Sequence, residues 1–406
     1  MIKLKKQLVI IGGGFAGFWS AISAIRESRE IQKRGEVEIT LINPDNYVTI
    51  RARLNELSSE GLRFELDKYL KPLGVHQIIG RAEIIDPQKS EIAVSTAQGI
   101  RNLKYDYLIL AAGSSLQVSN LPGIAHTFNV DSFDNVQRLE NHIIELGSKG
   151  FREEGAATFV VVGSEFKGLE AATGIEQKAR TIQAYYSGAK ADFRIVLLEG
   201  RNQVASQISK GCWQYIQDVI GSKNIEVMSN SELAVIGPAS VLLSNGERIA
   251  TRTVIWTEGM VANFLTRFFT GARDGLNRLT VDRFLKLPGY NNVIAAGNVA
   301  HSFGDNEHSS LMDCQYAQFE GRWAGHNAIN DLFNAPLHEY VQPGYVNCVD
   351  LGEPQTLHAN DWERAMQKRR YDERAAEEHI NSVTMFPWQD IEETVKASYP
   401  EIPRFG

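Results

Sequence analysis

The chain has 406 residues, 43% hydrophobic and 22% charged, with a formal net charge of −7. That make-up suits a globular protein of two or three domains, and an acidic balance without a long Lys or Arg run excludes a surface built to neutralise nucleic-acid phosphates. No stretch approaches the ~20 apolar residues that cross a bilayer; the three cysteines, Cys212, Cys314 and Cys348, stand too far apart for a disulfide framework or a redox pair, so the cytoplasm is the expected location.

Lys3, Lys5 and Lys6 followed by the apolar run Leu8–Ile11 imitate a secretion signal, but glycines cut the run short. The better reading is a strand, Gln7–Ile11, a turn Gly12-Gly13-Gly14-Phe15-Ala16-Gly17, and a helix on which Phe18, Ala21, Ile22 and Ile25 share a face. A second strand at Val37–Ile42 completes a βαβ unit. The pattern is less regular until Tyr105–Leu110, which runs into Ala111-Ala112-Gly113. The same grammar restarts with Phe159–Val162, Gly163, Gly168, a helix and the strand Arg194–Leu198, and closes with Thr253–Trp256 and Thr257-Glu258-Gly259. A last strand, Asn292–Ala296, enters Gly297-Asn298 and a helix predicted from about Leu311 to Asn330. Residues 341–406 differ in texture, with a charged stretch from Trp362 to Glu378, and read as a small cap. The expected fold is α/β: two Rossmann-like domains and a C-terminal cap.

Gly12, Gly14 and Gly17 fit G-x-G-x-x-G in the strand-to-helix context that gives the motif its meaning. The first glycine permits the tight turn, the second the approach of a pyrophosphate, and the third close helix packing, while the helix N-terminus around Phe15 and Ala16 offers N–H groups and positive dipole to the phosphates. Asn43, with Asp45 two residues on, stands where an acid usually holds the ribose hydroxyls; an amide can also hydrogen-bond a ribose.

The ordered set Gly12 to Gly17, Tyr105 to Gly113, Gly163 to Glu170, Trp256 to Gly259 and Ala295 to Asn298 resembles the type II NADH dehydrogenase-like flavoproteins over nearly the whole chain. The resemblance implies a discontinuous FAD-binding domain at 1–125 and 285–340, an NAD(P)-binding-like domain at 150–284 and the cap at 341–406. It implies FAD contacts at Gly12, Gly14, Phe15, Ala16, Gly17, Asn43, Arg51, Ala112, Gly113, Gly297 and Asn298. For NAD(P)H it points to Gly163, Glu165, Gly168, Glu170, Glu199 and Gly259. The implied activity is electron transfer from NAD(P)H through FAD to a quinone or other small acceptor. The disulfide-reductase branch is set aside for want of two neighbouring thiols.

Three positions depart from that family's pattern: Glu165 replaces the second glycine of the second loop, Asn298 an aspartate, and Phe319 a glutamine that commonly contacts quinone. Glu165 should crowd and repel a pyrophosphate, which leaves NAD(P)H open as donor and keeps an alternative in play, a flavoprotein oxidase or dehydrogenase acting directly on an organic substrate. No catalytic residue is fixed; His308, Gln315 and Phe319 are the candidates, with Gln315 and Glu320 close to pattern. His301, Asp305, Glu307 and His308 lack the ligand spacing of a metal site. Trp362, Phe386, Trp388 and Tyr399 lie among charges of both signs, a composition expected to cover the flavin domain or a homodimer contact rather than a membrane surface.

Overall fold

The computed structural model describes residues 4–54, 61–117, 119–186, 192–205, 210–305, 307–342, 346–352, 356–360, 365–368, 387 and 389–401. Trp362, Phe386 and Trp388, and most of the charged stretch of the expected cap, lie outside them.

Strand β1 (Lys6–Ile11) leads into helix α1 (Phe15–Glu30), followed by β2 (Val37–Asn43), β3 (His76–Ile79) and β4 (Tyr107–Leu110). The second unit repeats the plan with β5 (Thr158–Val162), helix α2 (Phe166–Tyr186), β6 (Arg194–Glu199), β7 (Ile225–Ser229) and β8 (Thr253–Trp256). The chain then returns to the first unit with β9 (Val293–Ala295) and helix α3 (Cys314–Leu332). In space the first sheet runs β9-β4-β1-β2-β3 and the second β7-β6-β5-β8, every neighbouring pair parallel.

Parallel sheets are covered on both faces, which is why their strands read as unbroken apolar runs. In β5, Phe159 and Val161 enter one hydrophobic cluster while Val160 and Val162 enter another on the opposite face. In both sheets the chain order reverses beside the central strand, between β1 and β4 and between β5 and β8. A crevice opens outside the carboxyl ends of the strands at such a switch point. Both glycine loops lie there.

Helix α1 is buried from Phe15 to Ser28 because the sheet covers one side and α3 another. Two glycines of α3 allow the close crossing: a Cβ on Gly321 would sit 2.4 Å from the Ala16 carbonyl oxygen, and one on Gly325 2.2 Å from that of Ser20. Helix α3 starts at Cys314, later than the hydropathy pattern predicts, because the Asp313 side chain caps it by accepting from the Gln315 and Tyr316 N–H groups.

The region without clear periodicity contains the edge strand β3 and an antiparallel meander, Arg81–Asp86, Glu91–Thr96 and Gly99–Lys104. A matching meander, Leu233–Ile236, Ser240–Leu243 and Arg248–Ala250, occupies the second unit. The two segments that cross between the units pair with each other, Ser114–Leu116 antiparallel to Met260–Ala262.

Two described pieces of the C-terminal region pack on different helices. A three-stranded sheet built on Val346–Asp350 meets α2, where the Asp350 N–H donates to Glu170 at 3.4 Å. The last helix, Ile391–Lys396, lies on α1: Glu392 pairs with Arg29 at 3.0 Å and Tyr399 stacks under the Arg26 guanidinium, 4.2 Å from its ring centroid. Tyr399 thus lies against the first unit.

Candidate functional site

The first loop is shaped by contacts that only glycine can make. Gly12 has φ +106°, and a Cβ there would lie 2.2 Å from the Ala111 carbonyl oxygen. A Cβ on Gly17 would lie 1.7 Å from the Gly12 oxygen, whereas one on Gly14 would meet nothing within 4 Å. Gly14 caps α1 with no side-chain hydrogen bond, and the first turn carries no acid, so the positive end of the helix faces open space. The arrangement fits a dinucleotide pyrophosphate.

Around this cradle, Phe15 and Ala16 are buried under the helix start. Asn43 is also buried, and its amide is committed within the chain: Oδ1 accepts from the Gly13 N–H at 2.8 Å, and Nδ2 donates to the Asp45 main-chain oxygen at 3.0 Å. Its role is thereby to brace the loop. Gly113 has φ +71°, and its carbonyl accepts from the Asn263 N–H at 2.9 Å beside half-buried Ala112. Gly297, also at φ +71°, packs so tightly on α1 that a Cβ would lie 2.9 Å from that of Ala16.

From Gly297 a polar chain runs between the two units. The Asn298 amide donates to Ser114 Oγ at 2.9 Å, and Arg51 donates to the same oxygen at 3.1 Å. Arg51 also pairs with Asp131, which accepts from Lys167 Nζ at 3.0 Å. Burial would raise the Asp131 carboxyl, but Lys167 and Arg51 outweigh it and hold the carboxyl below its ordinary value. Such a lowered group stabilises the fold above its unfolded pKa and loses that contribution as pH falls. Asp131→Asn should therefore lower the unfolding free energy by about 1–3 kcal/mol near neutrality and by much less in strong acid. Equal losses at both pH values in urea melts would show that the carboxylate charge is not responsible.

The second loop copies the first. Gly163 has φ +98°, and a Cβ on Gly168 would lie 1.8 Å from the Gly163 oxygen. At the position equivalent to Gly14 the Glu165 carboxylate accepts from Arg201 Nη1 at 3.1 Å. Glu199, at the end of β6, is buried and accepts from Ser164 Oγ and, at 2.8 Å, from the Arg201 N–H. Across the crevice stands Glu258: burial first, then Glu199, push its carboxyl up, Arg201 opposes them, and Glu165 and Glu232 add to the rise. Glu170 lies on α2 and Gly259, at φ +79°, follows β8. The second crevice thus keeps the glycine geometry and carries a ring of carboxylates with Arg201 among them.

Of the three catalytic candidates, Gln315 and Phe319 stand one turn apart on α3 and His308 lies in the loop before it. His308 is half-buried and pairs with Asp305 at 2.9 Å within its loop. Gln315 is half-buried in the first turn of α3. Phe319, 2% exposed, is turned into the core, where the Arg322 guanidinium lies 5.1 Å from its ring. Among the described residues no group of His, Cys, Asp and Glu is arranged to hold a metal ion. Cys212 is buried in the core of the second unit, and burial pushes the Cys314 thiol well above its usual range. Arg201, Asp131 and Ser114 escaped the sequence reading, and Glu258 entered it only as part of the turn after β8. Arg201 carried a usable signal in its place two residues after the acid that ends β6; Asp131 carried none.

Two parallel sheets, each with a glycine loop at its switch point, define a protein with two dinucleotide-binding folds, and the family matches make it an oxidoreductase enzyme. The chain belongs to the pyridine nucleotide-disulphide oxidoreductase family, whose model matches residues 6–321, and to its NADH dehydrogenase-like branch. It is 34% identical over 383 residues to an NADH dehydrogenase-like protein of Mycobacterium tuberculosis strain CDC 1551, covering 94% of each chain. It is 21% identical to the type II NADH:quinone oxidoreductase of Staphylococcus aureus strain NCTC 8325, over 85% of this chain and 88% of that one. The fold matches NDH2 of Plasmodium falciparum, solved in complex with NADH, with a TM-score of 0.77 and 16% identity over 97% of each chain. It also matches the sulfide:quinone oxidoreductase of Aquifex aeolicus, with a TM-score of 0.70 and 18% identity, covering 97% of this chain and 92% of that one.

Proposed function

We propose that this chain is an NAD(P)H dehydrogenase that passes electrons through bound FAD to a quinone or another small acceptor. The observation that carries the reading is one loop geometry built twice, Gly17 closing on Gly12 and Gly168 on Gly163, in units tied together by the Ser114–Leu116 and Met260–Ala262 ladder. The names of the Mycobacterium, Staphylococcus and Plasmodium relatives support it. FAD, when bound, supplies the two-electron chemistry.

In this reading residues 1–125 and 285–340 form the FAD domain, and residues 150–284 receive the nicotinamide nucleotide. The α1 N-terminus and Gly14 hold the FAD pyrophosphate, with Gly12, Phe15, Ala16 and Gly17 shaping the cradle and Asn43 bracing it. Ala112, Gly113, Gly297, Asn298 and Arg51 border the far end of the cofactor. The second loop, with Gly163, Glu165 and Gly168, meets the donor's pyrophosphate, beside Glu170, Glu199 and Gly259. We place the enzyme in the cytoplasm, acting on small molecules as a homodimer and without nucleic acid. Among the described residues no helix is long and apolar enough to cross a membrane.

Anaerobic addition of NADH should bleach the flavin absorbance in a saturable way. The carboxylates Glu165, Glu199 and Glu258 around the second crevice favour one other reading, direct oxidation of an organic substrate. Flavin that stays oxidised at millimolar NADH and NADPH, yet is reduced by an organic donor, would establish it.

No thiol takes part in either reading. A variant with Cys212, Cys314 and Cys348 all changed to Ser or Ala, folded and holding FAD, should turn over at close to the native rate; loss of turnover would contradict this.

A further inference from the structure

Glu320 is a buried titratable group to which neither the glycine loops nor the polar chain between the units assigns a task. It is fully inaccessible on α3, directly behind the Gly297-Asn298 turn. One carboxylate oxygen accepts from the Gly297 N–H at 2.5 Å and the other from Ser302 Oγ at 2.5 Å. A carboxylate in water would exchange those two donors for several waters; here it is retained without a directly paired cation. Arg278, whose charge bears on it, is bonded to Asp274 at 2.6 Å and the Ser310 carbonyl at 2.6 Å.

What the carboxylate holds is the turn that borders the cofactor end of the first crevice. Gly297 packs on Ala16 at the start of α1, and Asn298 reaches Ser114 and through it Arg51. An ionised carboxylate accepts from both donors; a protonated one must itself donate from one oxygen, and both of its present partners are donors to it. Protonation therefore turns the Ser302 hydroxyl from donor to acceptor and leaves the Gly297 N–H, which can only donate, on a neutral oxygen, so the charge-assisted hold on the turn is lost.

We propose that Glu320 is a positioning residue for the flavin site, its ionised carboxylate fixing the Gly297-Asn298 turn and its protonation loosening that turn and the hold on FAD. The flavin half of this rests on the function proposed above; the link between Glu320 and the turn does not.

Burial pushes the Glu320 carboxyl up to about 7, against the hydrogen bonds from Ser302 and Gly297, the charge of Arg278 and the Ser310 side chain, so the change falls in an accessible pH range. The other groups that bear on it are Asp274, paired with Arg278, and His301, beside Ser302. Burial, and then Arg278, lower the His301 pKa below its ordinary value.

The test uses the full chain as purified, between about pH 5.5 and 8.5, a window bracketing the ordinary carboxyl-to-imidazole range. Two quantities are read: hydrogen exchange of the peptide containing Gly297, corrected for intrinsic rate, and the rate of FAD release. In the native protein protection should rise and FAD release should slow severalfold as pH increases through neutrality. Glu320→Gln should flatten both profiles. Ser302→Ala, which keeps the carboxylate but removes a donor to it, should move both midpoints to higher pH, and His301→Gln should leave them in place.

A yellow Glu320→Gln protein with the native pH profiles overturns the proposal, as does a Ser302→Ala midpoint that does not move when Glu320→Gln fails to fold. If the protein binds no FAD but its exchange profile is flattened by Glu320→Gln, the positioning role stands and the flavin reading fails.

Discussion

Gly14→Val is expected to give a folded protein without flavin, and Gly17→Val a protein that does not fold. The two glycines belong to one motif, but their surroundings are opposite. A Cβ at Gly14 meets nothing within 4 Å, and the residue's φ of −74° is open to any side chain. Added methyl groups there collide only with a ligand at the α1 N-terminus, so the loss falls on cofactor affinity. At Gly17 a Cβ would lie 1.7 Å from the Gly12 carbonyl oxygen, an overlap that backbone cannot absorb without parting α1 from β1. Ordinary overpacking costs about 1–3 kcal/mol; displacing the first crossover helix threatens the whole margin of about 5–15 kcal/mol that keeps a domain folded. Thermal melts and the ratio of flavin to protein absorbance read both effects. Stoichiometric flavin in Gly14→Val would remove that residue from the site, and a native-like melt for Gly17→Val would contradict the packing described for the loop.

Glu165→Gly should lower the Michaelis constant for NADH by about ten- to a hundredfold, and Arg201→Ala should raise it. The second loop already provides the turn and helix packing through Gly163 and Gly168, so the substitution restores the open position that Gly14 has in the first loop. It also removes one of the carboxylates facing the crevice. Two unit charges about 4 Å apart interact by up to ~4 kcal/mol near a protein surface, and each ~1.4 kcal/mol is tenfold in affinity; the contact with Arg201 at 3.1 Å offsets part of that repulsion. Taking away the Arg201 side chain instead removes the positive charge beside Glu165, which is why its effect has the opposite sign. Stopped-flow reduction over a range of NADH concentrations gives the constants. If neither variant changes the NADH dependence, the nucleotide does not approach Glu165, and direct oxidation of an organic substrate becomes the stronger reading.

Much of the architecture is legible in the sequence because its determinants are local. An apolar run that ends in glycines and passes into a helix specifies strand, turn and helix within about 30 residues, and the Gly12 and Gly163 loops fold alike for that reason. The meanders and the edge strand β3 were less readable. Glu91–Thr96 alternates buried with more exposed residues over only a few positions, too short a pattern to stand out from loop.

The site depended on the tertiary structure. Asn43 has the right place for a ribose ligand, yet only the approach of Gly13 shows that its amide braces the loop. Glu165 looked like an uncompensated charge until the return of the chain after β6 set Arg201 against it, 36 residues away. Arg51 and Asp131 are separated by 80 residues and meet where the two units join, and Phe319 faces inward because α3 crosses α1 so closely. Sequence by itself determined the class of protein, since glycine geometry and strand hydropathy act at short range. The charge balance of the second crevice, and the carboxylate behind Gly297, were decided by how the sheets are ordered, because that order alone brings such distant side chains within bonding distance.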